Sequence, residues 1–214
     1  MTPIAPRMLS GLTVVALAAC AVTVASLPAR RAGAQTLAAT KTVANEQYRY
    51  TVSLPAACRH EEGPGTVDAV CSADLDPERS AQVSSDSALV MEVSAEVVTA
   101  DAGKTVPELA RAYDEAVFRE ELPEAVCGES DKARVKIAAV TQTVQDSRVT
   151  YAADITCAAV KFLQIGERRA SVRHIIGPDA RYRLVARAPL EDFTKQQQAI
   201  EAFFESFRVL PAAK

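Results

Sequence analysis

Apolar and polar side chains alternate along several stretches of the chain, with the period of two that is typical of half-buried β-strands. The alternation is clear in residues 48–54 and 89–97, and it returns in residues 135–144 and 148–158, which we expect to pair with each other. A further hairpin turns through the sequence GPDA. In this hairpin we assign to one inward face Ala170, Val172, His174, Ile176, Tyr182, Leu184 and Ala186. The pattern predicts an antiparallel sheet.

Two other stretches carry apolar residues at helical spacing. Thr105 and Glu108 form a capping box at the start of the first helix, and Leu122–Pro123 is expected to end it. Residues 191–210 contain four of the six phenylalanines, and their spacing predicts one amphipathic helix that packs on the sheet. The fold class that follows is α+β, with an antiparallel β-sheet flanked by amphipathic helices.

The first residues have the order of a secretory signal. Arg7 precedes an uncharged apolar run, residues 8–27, and the small residues 32–34 predict cleavage after Ala34. Cys20 ends a lipobox-like LAAC and is a candidate lipidation site, while residues 8–27 are also long enough for a retained anchor. The apolar residues that follow Cys20 favour cleavage after Ala34. Each alternative exports the remaining chain, so we predict a periplasmic or secreted bacterial protein.

The exported part divides simply. Residues 35–46 are small and polar and predict a flexible lead. We expect residues 47–210 to form a single domain and residues 211–214 to form a tail.

The exported chain is acidic. Residues 1–34 contain three of the 24 basic residues and none of the 27 acidic ones, so the mature chain has a net charge of −6. A nucleic-acid-binding protein should be basic over at least one domain. We therefore expect no nucleic acid partner, and membrane contact only through an acylated Cys20 or a retained anchor.

Four cysteines remain after export: Cys58, Cys71, Cys127 and Cys157. An even number in an oxidising compartment indicates two disulfides, for which three pairings exist. We favour Cys58 with Cys71 and Cys127 with Cys157, because each pair joins elements that are close in sequence. The chain has no C-x-x-C motif, and its cysteines and histidines lack the spacing of zinc ligands.

The order of elements and two short motifs resemble those of PsbP/Mog1-like proteins. Tyr50–Pro55 (YTVSLP) is a strand that leads into a Leu-Pro, and Phe203–Arg208 (FFESFR) closes the last helix. The resemblance covers residues 47–210 and implies an α/β/α sandwich. It also implies a non-catalytic accessory or binding role, and it transfers no functional residue to this chain.

The most distinctive polar feature is the basic hairpin near the end of the domain. We expect Arg169, Arg173, Arg183 and Arg187 to share one face of it. Such a cluster in an acidic protein is a candidate docking patch for an acidic partner, a small anionic ligand such as a phosphate or carboxylate, or anionic lipid headgroups. The alternative is a solvated or covered face whose arginines pair with Glu92, Glu96 and Asp154.

The two histidines are weak candidates for chemistry. His60 is followed by Glu61 and Glu62, which could not all face one metal ion from a regular strand, and we interpret this segment as a polar loop. His174 lies on the apolar side of a strand, where we expect a core histidine with one hydrogen-bond partner. The nucleophile-elbow, P-loop and dinucleotide motifs are absent. We predict no catalytic residue, no metal and no cofactor.

These observations predict a secreted periplasmic binding or accessory protein without catalytic activity. Its expected partner is an unidentified envelope protein or a small anionic ligand. The alternatives are a lipoprotein subunit of an envelope complex and an envelope hydrolase that uses His60 or His174 with carboxylates.

Overall fold

The computed structural model describes residues 39–85, 87–127, 135–158 and 166–211. The predicted signal peptide, the cleavage after Ala34, the candidate lipidation at Cys20 and residues 212–214 of the tail lie outside these ranges and stay predictions. Within the described ranges, no helix has both the length and the apolar character needed to cross a membrane.

The described residues form eleven strands and five α-helices. The strands are β1 (Thr40–Asn45), β2 (Tyr50–Pro55), β3 (Arg59–Gly63), β4 (Thr66–Cys71), β5 (Leu89–Val97), β6 (Val135–Ile137), β7 (Thr141–Gln145), β8 (Arg148–Cys157), β9 (Arg168–Ile176), β10 (Ala180–Pro189) and β11 (Arg208–Val209). The helices are α1 (Pro77–Ser80), α2 (Val106–Ala112), α3 (Glu115–Cys127), α4 (Leu190–Lys195) and α5 (Gln197–Ser206). A 3-10 turn spans Thr99–Asp101.

The strands make two antiparallel sheets in the described part of the chain. The smaller has the order β1-β2-β11, and the larger has the order β3-β4-β5-β10-β9-β8-β6, with β7 also paired to β8. One face of the larger sheet, which carries Met91 and Leu184 and which we call the α5 face, packs against β2, α4 and α5. The other, which carries Val149 and Val172 and which we call the α3 face, packs against α2 and α3. The predicted α+β class is confirmed.

Each face has its own apolar core. On the α5 face, helices α4 and α5 bury Phe193, Ile200 and Phe203. On the α3 face, Phe118 stacks on Tyr151, with the ring centres 5.6 Å apart. Burial of one such side chain contributes about 1.5–3 kcal/mol. Two helical layers on one sheet explain why both faces of β10 are rich in buried residues.

The favoured disulfide pairing is confirmed. Cys58–Cys71 closes the β3–β4 hairpin with a Cα–Cα distance of 4.4 Å, and Cys127–Cys157 joins the end of α3 to the end of β8 with a Cα–Cα distance of 5.8 Å. Each bond contributes about 2–4 kcal/mol to stability. Disulfides form in oxidising compartments, so both indicate an extracytoplasmic protein.

The structure corrects several strand predictions. Residues 40–45 of the predicted flexible lead form β1, because they pair with β2 and bury Val43 in the core. Residues 59–63, interpreted as a loop, form β3. The strand expected over residues 135–144 is two strands, β6 and β7, which pair with different parts of β8.

Both predicted long helices are interrupted. The capping box of Thr105 and Glu108 is present, but this helix ends at Ala112. Asp114 then begins α3, because its carboxylate accepts hydrogen bonds from the backbone N–H groups of Ala116 and Val117. Helix α3 then continues past the expected stop at Leu122–Pro123 to Cys127. The last helix divides into α4 and α5 at Gln196, whose amide donates to the carbonyl of Ala73.

Candidate functional site

The register of the β9–β10 hairpin decides where the arginines lie. Ile176 pairs with Arg181 across residues 177–180, so Arg173 lies opposite Leu184 and Arg183 lies opposite His174. Side chains of directly paired residues lie on the same face of a sheet. The prediction that Arg169, Arg173, Arg183 and Arg187 share one face was therefore wrong. Arg169 and Arg173 are on the α5 face, whereas Arg183 and Arg187 are on the α3 face.

The same register corrects the inward face assigned to this hairpin. Val172 pairs with Val185, which places Val172 on the opposite face from Leu184. Both sets of predicted inward residues are buried, because helices cover both faces of the sheet.

On the α5 face, Arg169 and Arg173 are held by the structure around them. They line a cavity of about 430 Å³ between the sheet and helices α4 and α5. The guanidinium of Arg169 lies 5.1 Å from the ring centre of Phe193 and 2.7 Å from a carboxylate oxygen of Asp154. The guanidinium of Arg173 lies 4.7 Å from the ring centre of Phe204 and donates to the carbonyl of Phe204 at 3.3 Å. These contacts are those of packing residues.

On the α3 face, a second cavity of about 420 Å³ is lined by sheet residues, by Tyr113 and by Glu121 of α3. We call it the cleft. Its polar lining residues include Glu96, Tyr113, Glu121, His174, Arg181 and Arg183. The sheet supplies both arginines and the histidine, and the helical layer supplies Tyr113, so the cleft depends on the packing of the two layers.

A chain of hydrogen bonds crosses one wall of the cleft. The hydroxyl of Tyr113 donates to the carboxylate of Glu121 and lies 2.8 Å from Nδ1 of His174. Since the hydroxyl hydrogen is directed to Glu121, the oxygen accepts from Nδ1–H of His174. Burial, and then the charge of Arg183, lower the pKa of His174 to about 3, so the imidazole is neutral. The expected core histidine with one hydrogen-bond partner is present.

Arg181 forms another wall and is fixed by a buried acid. Its Nη2 donates to Oδ2 of Asp101 at 2.7 Å, and Lys104 donates to Oδ1 of the same carboxylate at 2.7 Å. Burial alone would raise the pKa of Asp101, but the hydrogen bonds from Lys104 and Arg181 hold that pKa below its ordinary value. The guanidinium of Arg181 also lies 5.4 Å from the ring centre of Tyr113.

Arg183 is bound more loosely than its neighbours. Its side chain is 38% exposed, about as much as that of Arg169, but its ion pair with Glu92, the one it forms within the described residues, has a longer N–O distance of 3.5 Å. Nε of Arg183 and Nε2 of His174 are both buried and have no hydrogen-bond partner among the described residues.

The α3 face continues beyond the cleft as a charged strip. Asp68 and Glu92 lie directly opposite each other on β4 and β5, and Arg187 lies close by on β10. Burial, and then the charge of Glu92, raise the pKa of Asp68 to about 6. Arg187, like Arg183, has a buried Nε without a partner among the described residues.

The segment around His60 forms no cluster. Because residues 59–63 are a strand, His60 and Glu62 lie on one face and Glu61 lies on the other. Nε2 of His60 lies 3.1 Å from the carbonyl of Pro55. Across the residues that the structure describes, no three His, Cys, Asp or Glu side chains are grouped so that they could hold a metal ion.

Sequence reasoning missed three residues of the cleft. Arg181 alternates with Arg183 on β10 and could have been found from strand periodicity. Tyr113 follows the last residue of α2, and nothing in the local sequence indicates that its hydroxyl meets His174. Glu121 has no distinguishing sequence signal, because it lies on a helix with many other charged residues.

Comparison with protein-family models gives no match, and no curated protein matches the chain. Solved structures do match. LpqN, involved in cell envelope biogenesis of Mycobacterium tuberculosis, has 8% identity and a TM-score of 0.52, over 81% of this chain and 91% of LpqN. Cyanobacterial PsbP (CyanoP) from Synechocystis sp. PCC 6803 has 13% identity and a TM-score of 0.48, over 85% of this chain and 99% of PsbP.

The likeness to LpqN shows a shared fold and does not extend to function. The sheet with helices on both faces and the closing helix at residues 197–206 have the predicted arrangement. At the level of architecture, the predicted sheet with helices on both faces is confirmed.

Proposed function

We propose that this chain is an extracytoplasmic, non-catalytic binding module that is released after Ala34 and binds a small anionic ligand in the cleft at Arg183. The observation that carries the proposal is the state of Arg183. Arg183 lines a cavity, and its ion pair with Glu92 is long. A carboxylate or phosphate is the group that a guanidinium binds best.

The cleft suits a small molecule. Its volume of about 420 Å³ lies within the range of ligand sites, about 300–1,000 Å³. Arg181 adds a second positive charge at the wall, but Asp101 and Glu96 already neutralise it. Arg183 is therefore the residue that we assign to the anion.

The cleft does not support the hydrolase alternative. His174 is neutral, and its Nε2 has no nucleophile within hydrogen-bond distance among the described residues. Nucleophilic catalysis requires such a pair. The lipoprotein alternative depends on Cys20, outside the described residues, and would change where the module is attached but leave the cleft as it is.

The proposal is tested by calorimetric titration with cyclohexanecarboxylate, glucuronate and inorganic phosphate. We expect at least one anion to bind, and Arg183→Gln to weaken that binding about tenfold or more, as the loss of a charged hydrogen bond should. The matched control is Arg169→Gln, on the opposite face of the same hairpin, which should bind like the parent protein. The proposal is wrong if no anion binds, or if Arg183→Gln binds as well as the parent protein.

A further inference from the structure

Glu121 is an acidic side chain of the cleft that has no cationic partner among the described residues. It lies on α3, lines the same cavity as Arg183 and is 49% exposed, so a ligand in the cavity can reach its carboxylate. The basic side chain that meets it is His174, with Nδ1 at 3.9 Å, but this imidazole is neutral. The negative charge of Glu121 is therefore not neutralised by the fold around it.

The other acid of the cleft is already engaged. Glu96 lies 3.9 Å from Arg181, and Arg181 is also bound by Asp101 at 2.7 Å, so these charges largely neutralise one another. Arg183 is the positive group that we assign to the ligand. One accessible positive charge and one accessible negative charge thus remain in the same cavity.

Tyr113 and His174 hold these two charges beside each other. The hydroxyl of Tyr113 donates to Glu121 and fixes the position of that carboxylate. His174 bonds the same hydroxyl and pairs directly with Arg183 across β9 and β10, which places the Cβ atoms of the pair about 5 Å apart. Burial, and then Glu121, raise the pKa of Tyr113, and the charge of Arg183 lowers it, so both charges act at this hydroxyl. Glu121 and Arg183, both within the described part of the chain, nevertheless form no ion pair with each other.

A ligand with a single charge suits only half of this arrangement. An anion is attracted by Arg183 and repelled by Glu121, and a cation has the reverse difficulty. We propose that the ligand of the cleft is a zwitterion of the amino-acid class, whose carboxylate binds Arg183 and whose ammonium group donates to Glu121. Both contacts are hydrogen bonds between opposite charges, which are stronger than neutral ones. The inference rests on the proposed function, because it names the ligand class for the same site.

The test uses probes that share one ring and differ in charge. Cyclohexanecarboxylate carries only the anion and cyclohexylamine only the cation. The zwitterions 1-aminocyclohexanecarboxylate and 4-(aminomethyl)cyclohexanecarboxylate carry both, at a short and a long spacing. Calorimetric titration of the full mature chain should show at least one zwitterion binding about tenfold or more tightly than cyclohexanecarboxylate, as one added charged hydrogen bond predicts. Cyclohexylamine should bind more weakly than that zwitterion.

Substitutions show whether Glu121 causes this preference. Glu121→Gln keeps an oxygen that can accept from Tyr113 but removes the negative charge, so it should bind the zwitterion no more tightly than cyclohexanecarboxylate. Arg183→Gln should weaken the binding of both ligands. The matched control is Glu120→Gln, which changes an exposed neighbour on α3 that does not line the cleft and should keep the full preference.

The outcomes separate the two claims. If cyclohexanecarboxylate binds through Arg183 and neither zwitterion binds more tightly, the anion site stands and the zwitterion inference is wrong. If Glu121→Gln keeps the preference, or Glu120→Gln loses it, the inference is also wrong. If no probe binds, or if Arg183→Gln changes no affinity, the proposed function fails and the inference fails with it.

Discussion

On the α5 face of the sheet, Arg169 and Arg173 lie over phenylalanine rings and form hydrogen bonds with Asp154 and with the carbonyl of Phe204. On the α3 face, Arg183 and Arg187 have buried Nε atoms without partners among the described residues. All four arginines belong to one hairpin, and the strand register alone assigns them to different surroundings. An arginine under which an aromatic ring packs contributes mainly to stability. An arginine at the edge of a cleft remains available to a ligand.

The largest expected effect that separates the two faces is on stability. Arg173→Ala removes a half-buried guanidinium from Phe204 together with its hydrogen bond to a carbonyl, and should lower the free energy of unfolding by about 2 kcal/mol. Arg183→Ala removes one long ion pair and should change the free energy of unfolding by no more than about 0.5 kcal/mol. Urea unfolding of both variants measures the difference. Equal losses would contradict the distinction between packing and binding arginines.

A smaller effect should appear in the charged strip of the α3 face. The raised pKa of Asp68, ordinarily 3.8 and here about 6, means that the folded state binds the proton more tightly than the unfolded state. This group's contribution to stability is therefore complete below about pH 3.8 and is lost as pH rises through about 6. The charges that face Asp68 are Glu92, Glu61 and Arg187.

Asp68→Asn removes this dependence. Because Asp68 keeps some contact with water, the variant should gain no more than about 1 kcal/mol at pH 8, and the gain should vanish near pH 4. Thermal unfolding at the two pH values measures it. The matched control is Asp154→Asn on the α5 face, which breaks the ion pair with Arg169 and should lose stability at pH 8. A gain for Asp68→Asn that is independent of pH would contradict the assignment.

Much of the fold could be predicted from the sequence, because strand alternation, capping boxes and phenylalanine spacing are local signals. The pairing of the four cysteines followed from the same local order. The faces of the β9–β10 hairpin could not be predicted in this way. Residues 177–180 separate the first pair, and this even number shifts the alternation of β10 relative to β9. Apolar residues on both faces of β10 gave no signal against the wrong choice.

The cleft was harder to predict than the fold, for a physical reason. Its defining contact joins Tyr113 to His174, residues that are 61 positions apart and belong to different layers. Each residue alone has the pattern of an ordinary core position. The predicted arginine patch lies on the β9–β10 hairpin, but two of its arginines are on the α5 face and the other two are on the α3 face.

The central claim is that anion binding belongs to the α3 face and not to the α5 face. The most direct measurement is a titration with glucuronate or cyclohexanecarboxylate, in which the Nε–Hε resonances of the arginines are followed by ¹⁵N–¹H NMR. We predict that the resonance of Arg183 shifts to saturation, while those of Arg169 and Arg173 stay in place. A saturating shift at Arg169 or Arg173 with none at Arg183 would contradict this assignment.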